Sequence, residues 1–429
     1  MRRVPLSIAF VLRDPLPPLR ADVLALFGAY LPRLGIGSTL VGQSAASRRA
    51  PTPACAPAAN RESAAASFET VWPAARMLAM GRVGGALGAL ATPLWDAVGL
   101  LRARWRGPVA CVQVRDKIAS ALVARAAAAL LGVPFVYWMS FPIVEGYAAR
   151  RDALAQRGRG VRWAAHALRA RLARVVAYRL VLPRAAHVFV QSDAMAAWLA
   201  GQGVPPARMT AVPMGVDTAV FDRARVAPAR DARLDGRRVV IYLGSVAQSR
   251  HSDFLLELAA ALAAAVPAVL LVIAGDAPSP DEMAWMRAAI AARGLRDHVL
   301  LTGWLPQQAA LGYAVRAEVG ISPLPRGVLF DVASPTKLVE YLALGIASVA
   351  NDIPDQQRVL ADSGAGLCAP MTLAPFAAAV LRLLGDPALR AACAARGPPY
   401  VRAERSYAVL ARRVADAYTG IVPDDGAAP

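Results

Sequence analysis

The stretch SPTKLVEYLALG, Ser334 to Gly345, decides how the second half of this 429-residue chain is read. Ser334 is a good N-cap, Pro335 suits a first helical turn and Gly345 suits a C-terminal end, so the segment predicts a short helix with an exposed N-terminus. Unpaired N–H groups and the helix dipole favour an anion there, and Lys337 adds a full charge one turn in. Glu340 follows three residues later on the same face, where its carboxylate can accept two hydroxyls of a ribose. Taken alone, the same residues also describe a capped helix with a solvated Lys337–Glu340 pair. A second segment, YLGSVAQSRHSDFLLEL from Tyr242 to Leu258, reads as a buried strand, a glycine turn and a helix beginning near Ser252 and Asp253. Gly244 allows close backbone approach, and Arg250 can grip a diphosphate from the loop. Alone it is equally an ordinary loop with an exposed arginine.

Working outward, apolar runs ending in Gly, Asp or Ser alternate with Ala- and Leu-rich helical stretches through both halves, the pattern of βαβ units around parallel sheets. Strands are predicted at Leu6–Leu12, Thr39–Val41, Val109–Val114, Phe135–Met139 and His187–Gln191. A second set follows at Arg238–Leu243, Ala268–Ala274, His298–Thr302, Val319–Ser322 and Ala347–Ala350. The length exceeds what one core usually organises. The expected division is therefore an N-terminal Rossmann-like domain, residues 1–212, and a C-terminal one, residues 213–429, with a C-terminal helix able to pack back on the first. The charged stretch Asp217–Gly236 reads as a connection, and the Ala-, Ser- and Pro-rich stretch Gln43–Thr70 as a loop. Parallel sheets bind ligands at the C-terminal ends of their strands, so a cleft between the domains is the expected site.

The charge is uneven. Through Val212 there are 27 Lys or Arg against 9 Asp or Glu, and from Pro213 onward 21 against 21, so the formal +18 resides in the first half. An anionic lipid, nucleic acid or phosphorylated partner for that half is the physical reading. No recognised nucleic-acid module is present, which leaves an anionic membrane surface as the expected partner. The stretch Arg150–Arg184 holds ten arginines against Asp152 alone, but Arg162 and Arg169 fall opposite Arg171 on a helical wheel, so it does not read as a clean amphipathic helix. Two uncharged stretches, Ala126–Val144 and Leu258–Gly275, are broken by Pro134 and Pro267 and read as helix, turn and strand rather than membrane spans. The apolar run before Arg13 is too short for a signal sequence, so a mature N-terminus is expected. Four cysteines without a CxxC pair and four scattered histidines indicate neither a disulfide framework nor a metal site. GRVGGALG, Gly81 to Gly88, fails as a dinucleotide loop by spacing and by the absence of a preceding strand.

Five ordered segments, VPMGVD (Val212–Asp217), YLGS with Arg250 and Asp253, IAGD (Ile273–Asp276), LTGWLP (Leu301–Pro306) and SPTKLVEYLALG, together resemble family 4 glycosyltransferases of GT-B fold. VQVRDK, YWMSFPIVE and HVFVQSD resemble bacterial exopolysaccharide and lipopolysaccharide members more loosely. The resemblance implies two Rossmann-like domains facing a cleft and a retaining sugar transfer without metal from a UDP- or GDP-linked donor. It further implies a lipid-linked saccharide acceptor at the cytoplasmic face of the inner membrane. On this basis Arg250, Lys337 and Glu340 carry the chemistry, while Gly244, Ser245, Gly275, Gly303, Ser334, Pro335, Thr336 and Leu338 line the donor site. The family's diphosphate-binding pair falls on Ser245 and Arg250, and its paired glutamates on Val332 and Glu340, so one cation and one carboxylate are absent, with Asp331 beside the lost glutamate. The family's sugar-side histidine is also missing, and Arg115, Asp116, Lys117, Ser140 and Glu145 are the substitute candidates for the acceptor or sugar site, or else plain surface charges. These departures keep a catalytically silent nucleotide-sugar-binding or scaffold protein open as the alternative.

Overall fold

The computed structural model describes residues 6–14, 16, 20–42, 68–70, 81–155 and 158–422. They form two compact units whose sequence boundary lies between Pro213 and Met214; residues 410–422 group with the first unit. In the first unit, strands β1 (Leu6–Val11), β2 (Ile36–Val41), β3 (Phe68–Thr70), β4 (Cys111–Arg115), β5 (Phe135–Met139), β6 (His187–Val190) and β7 (Met209–Ala211) make one sheet in the order β3-β2-β1-β4-β5-β6-β7. Every pairing is parallel. In the second, β8 (Arg238–Leu243), β9 (Val269–Ala274), β10 (Val299–Gly303), β11 (Val319–Ser322), β12 (Ser348–Ala350) and β13 (Gly366–Cys368) are parallel in the order β10-β9-β8-β11-β12-β13. Both are therefore Rossmann-like α/β units, and in each the strand order reverses beside the first strand, between β1 and β4 and between β8 and β11.

The strand sequences explain the layering. In β8, Val240 and Tyr242 face one apolar cluster while Val239, Ile241 and Leu243 face another. Both faces are covered by helices, which is why these strands read as unbroken apolar runs rather than alternating ones. Both suspected membrane spans are the helix–turn–strand units expected: Ile118–Leu130 with β5, and Asp253–Ala265 with β9. Among the described residues no helix is long and apolar enough to cross a membrane.

Three features depart from expectation. The strands β3, β7 and β13, three residues each and at sheet edges, are additional to those expected from the sequence. Of the expected Gln43–Thr70 loop, residues 43–67 lie outside the described residues and Phe68–Thr70 is a strand. The Asp217–Gly236 stretch is no free connection: Phe221, Val226 and Leu234 are buried in the second unit's core, and its two short 3₁₀ turns are capped by Asp222 and Asp231. The last helix, Tyr407–Ile421, places Tyr418 against Phe189, ring centroids 5.2 Å apart, with its hydroxyl donating to Gln113 inside the first unit.

The helix Thr336–Ala343 is fixed at the strand-order reversal of the second sheet. The Tyr341 hydroxyl accepts from the Leu243 N–H of β8 at 2.7 Å and donates to the Ile321 carbonyl of β11 at 3.4 Å. Its ring lies so close to Gly320 that an added Cβ would stand 2.6 Å from the ring carbons. Gly320→Ala is therefore expected to lower unfolding free energy by about 1–3 kcal/mol through overpacking, read as a shifted denaturant midpoint at unchanged slope. An unchanged midpoint would show that Tyr341 is not held as described.

Candidate active site

At the C-terminal edge of the second sheet the backbone is compressed. Gly244 ends β8 at φ 143°, and a Cβ on Gly275, just past β9, would stand 2.1 Å from the Gly244 carbonyl oxygen. Gly303, at φ 72°, closes β10 and bridges Gly275. Only glycine fits Gly244 and Gly275, one for its dihedral and the other for its neighbour's carbonyl. Ser245 and Arg250 beyond this edge are exposed, Arg250 on a 3₁₀ turn over Gln248–Arg250. Ser252 does not cap the following helix. Its Oγ accepts from the Ala247 N–H at 2.9 Å and closes the loop on itself.

The SPTK segment forms a helix over Thr336–Ala343, and Gly345 ends it at φ 63° as expected. Ser334 departs from its expected role as N-cap, because its hydroxyl is fully engaged elsewhere. It accepts from the Met214 N–H at 3.0 Å and from the Arg405 guanidinium at 3.3 Å, and donates to Asp355 at 2.8 Å. Asp355 and Arg405 are themselves paired at 2.8 Å. Pro335 takes the cap position without a side-chain bond, and Thr336 is the first helical residue, both partly buried. Leu338 is packed in the core, so only its backbone can face a ligand. The buried Ser334 cluster thus sets where the helix begins, while the helix terminus itself has no side-chain cap.

Lys337 turns back toward β8. Its ammonium lies 4.0 Å from the centre of the Tyr242 ring and borders Gly244, buried and without a hydrogen-bond partner among the described residues. The solvated ion pair with Glu340 is therefore not what forms. A buried ammonium with no acceptor is costly, and the ring's negative face offsets only part of that cost. Glu340 is partly buried, and burial raises its carboxyl to about 7 even though the Lys337 charge acts in the opposite sense. Val332, where the family's first glutamate falls, is buried, and the neighbouring Asp331 is taken by Arg326 at 2.7 Å.

In the first unit the expected acceptor-side charges are neither surface groups nor free. Arg115 is 1% exposed and paired with Asp22 at 2.5 Å, beside the strand-order reversal. Asp116, at φ 52°, accepts from the Ser140 N–H at 2.9 Å and from the Ser140 hydroxyl, tying the ends of β4 and β5 together. Burial pushes the Asp116 carboxyl up despite Arg115, whereas for Asp22 the combined pull of Arg115 and Arg20 outweighs burial and holds it low. Lys117 is paired with Asp96 at 2.7 Å. Glu145 accepts from the Tyr178 hydroxyl at 2.7 Å and from Arg174 at 3.2 Å. These contacts make Arg115, Asp116, Lys117 and Ser140 parts of a buried framework behind the sheet edge. Sequence reasoning missed Tyr242, Tyr341, Asp355 and Arg405. The two tyrosines stand within the quoted motifs and could have been found from their spacing to Gly244 and Lys337; nothing local marks the Asp355–Arg405 pair. Among the described residues no three His, Cys, Asp or Glu side chains converge as a metal site.

Residues 237–386 match the family model described as glycosyl transferases group 1, and residues 21–215 match the glycosyl transferase 4-like domain. Over 190 residues the chain is 30% identical to an alpha-D-kanosaminyltransferase of Streptomyces kanamyceticus, covering 44% of this chain and only 47% of that enzyme's length. It is 28% identical over 311 residues to a 2-deoxystreptamine glucosyltransferase of the same organism, covering 70% and 73% of the two chains. The fold is similar to that of Anabaena Alr3699/HepE in complex with UDP-glucose, with a TM-score of 0.64 at 15% identity over 97% of this chain and 100% of that one. A glycosyl transferase family model thus matches part of each unit, and the parallel Rossmann-like sheets of both are consistent with a GT-B fold.

Proposed function

We propose that this protein is a retaining, hexosyl-type glycosyltransferase that moves a sugar from a UDP- or GDP-linked donor to a lipid-linked saccharide in bacterial surface polysaccharide synthesis. In this reading the second unit holds the donor and the first the acceptor, at the cytoplasmic face of the inner membrane. One observation carries it: the Lys337 ammonium is held at the C-terminal edge of β8, buried and without an acceptor among the described residues, at the second position of an uncapped helix. A donor diphosphate supplies the missing acceptor. The helix terminus, Lys337 and the exposed Arg250 then stabilise the charge that grows on the leaving diphosphate. The acceptor hydroxyl attacks the anomeric carbon from the face the nucleotide leaves, and a donor phosphate oxygen takes its proton, so configuration is retained without a protein base or a metal. Glu340 binds the ribose hydroxyls.

The opposing reading, a silent nucleotide-sugar binder, is favoured by Ser245 and Val332 standing where family cations and carboxylates fall. Turnover separates the two. Incubation with UDP- and GDP-sugars in EDTA is expected to release nucleotide from one donor class, and Arg250→Ala to slow that release about tenfold or more while leaving the melting temperature unchanged. Bound donor that is never consumed would establish the binder.

Glu340 adds a pH signature. A carboxyl raised to about 7 is neutral below that pH and a charge-assisted acceptor for ribose above it. Wild-type affinity for UDP is therefore expected to exceed that of Glu340→Gln by about tenfold at pH 8, the ratio falling toward one at pH 6. Taking the ratio cancels the titration of the nucleotide's own phosphate. A ratio that does not change with pH would remove Glu340 from the ribose.

A further inference from the structure

The helix Val161–Val175 of the first unit packs inward through Ala170 and Ala173, yet its opposite side is not polar. Val161, Leu168, Leu172 and Val175 are 88%, 59%, 56% and 47% exposed, and their spacings of seven, four and three residues put them in a single ridge pointing away from the protein. Arg162 and Arg169 flank this ridge on one side and Arg171 on the other. The arginines that looked opposed on a helical wheel thus border an apolar wedge that sequence periodicity had hidden. Arginine stems beside such a wedge can lie along it with their charges at its rim, the arrangement of a helix resting in a lipid interface.

Immediately beyond Arg171, a cleft of about 590 Å³ opens between this helix and the helix Ile143–Ala155. Its floor is largely alanine, and Arg151, Arg159, Arg171 and Arg174 line it against Asp152 alone. Asp152 is taken by Arg151 at 2.6 Å, and Arg174 reaches Glu145 at 3.2 Å. Arg159 lies 5.5 Å from the centre of the Trp163 ring, and neither it nor Arg171 has a carboxylate partner among the described residues. The cleft therefore presents unneutralised guanidinium groups over an apolar floor, beside an exposed apolar ridge.

We infer that this helix pair is a lipid-phosphate docking site, in which the arginine-lined cleft takes the phosphate of an anionic phospholipid while Val161, Leu168, Leu172 and Val175 enter the acyl layer beside it. Charge complementarity selects the headgroup, and the ridge, which no soluble anion would need, selects a lipid over a free phosphate. The inference rests on the reading that the first unit faces a membrane, and names where.

Sedimentation of the full-length protein with phosphatidylcholine vesicles, with and without phosphatidylglycerol, tests it. The wild type is expected to bind only the phosphatidylglycerol vesicles. Leu168→Ser/Leu172→Ser and Arg159→Gln/Arg171→Gln should each weaken that binding about tenfold or more at unchanged melting temperature, with Leu130→Ser, an exposed leucine on another helix, as the unaffected control. Normal binding by the two site variants would place the membrane contact elsewhere, overturning the site while the membrane reading stands. No binding by the wild type would overturn both. Equal loss in Leu130→Ser would reduce the effect to unspecific stickiness, and displacement by soluble glycerol phosphate at matched phosphate concentration would make the cleft a free-anion site; either overturns the proposal.

Discussion

A buried ammonium without an acceptor among the described residues is the constraint around which the second unit is built. Lys337 could point to solvent from a surface helix at little cost. Instead it lies over Tyr242 against Gly244, where no hydroxyl, carbonyl or carboxylate of the described residues receives it. That position requires a helix whose start cannot drift and a β8 end that carries no side chain. Ser334, held by Asp355, Arg405 and the Met214 N–H, meets the first requirement; Tyr341, bonded to both β8 and β11, fixes the same helix one turn further on. Gly244 meets the second, and Gly275 lets the neighbouring strand end press against it. A buried charge is thereby held at the strand-order reversal, the region where doubly wound sheets bind their ligands.

The first unit treats its own reversal differently. There the charged residues are engaged within the unit: Arg115 pairs with Asp22 and lies 3.8 Å from Asp116, Asp116 accepts from Ser140, and Lys117 pairs with Asp96. Breaking any of these buried pairs would leave an uncompensated charge, so they act as framework that holds the ends of β4 and β5 in place. The excess positive charge of this unit is expressed instead on its outer helices, where arginines outnumber acids and Arg159 and Arg171 have no carboxylate partner among the described residues. The contrast between the two units is thus one of where charge is satisfied internally and where it is left for a partner.

Much of this was legible in the sequence because the signals are local and periodic. The unbroken apolar runs of β5, β8 and β9 announced buried parallel strands, and SPTKLVEYLALG announced both its helix and the glycine that ends it. What was not legible depends on partners distant in the chain. Ser334 reads as a cap because the Asp355 and Arg405 that claim it lie 21 and 71 residues away. Arg115 and Lys117 read as available charges because Asp22 and Asp96 carry no mark of pairing. The outer ridge of the Val161–Val175 helix was hidden for a different reason: apolar residues on both the packed and the open side blur the helical period that normally separates them.

The central claim is that Lys337 waits for a diphosphate, and a paired calorimetric titration tests it most directly. UDP and uridine share base and ribose, so the difference in their binding free energies isolates the phosphates. Lys337→Met keeps the side chain's length over Tyr242 and removes only its charge. The account predicts that the wild type binds UDP far more tightly than uridine and that in Lys337→Met most of this advantage disappears while uridine affinity is retained. An undiminished advantage in Lys337→Met would contradict it.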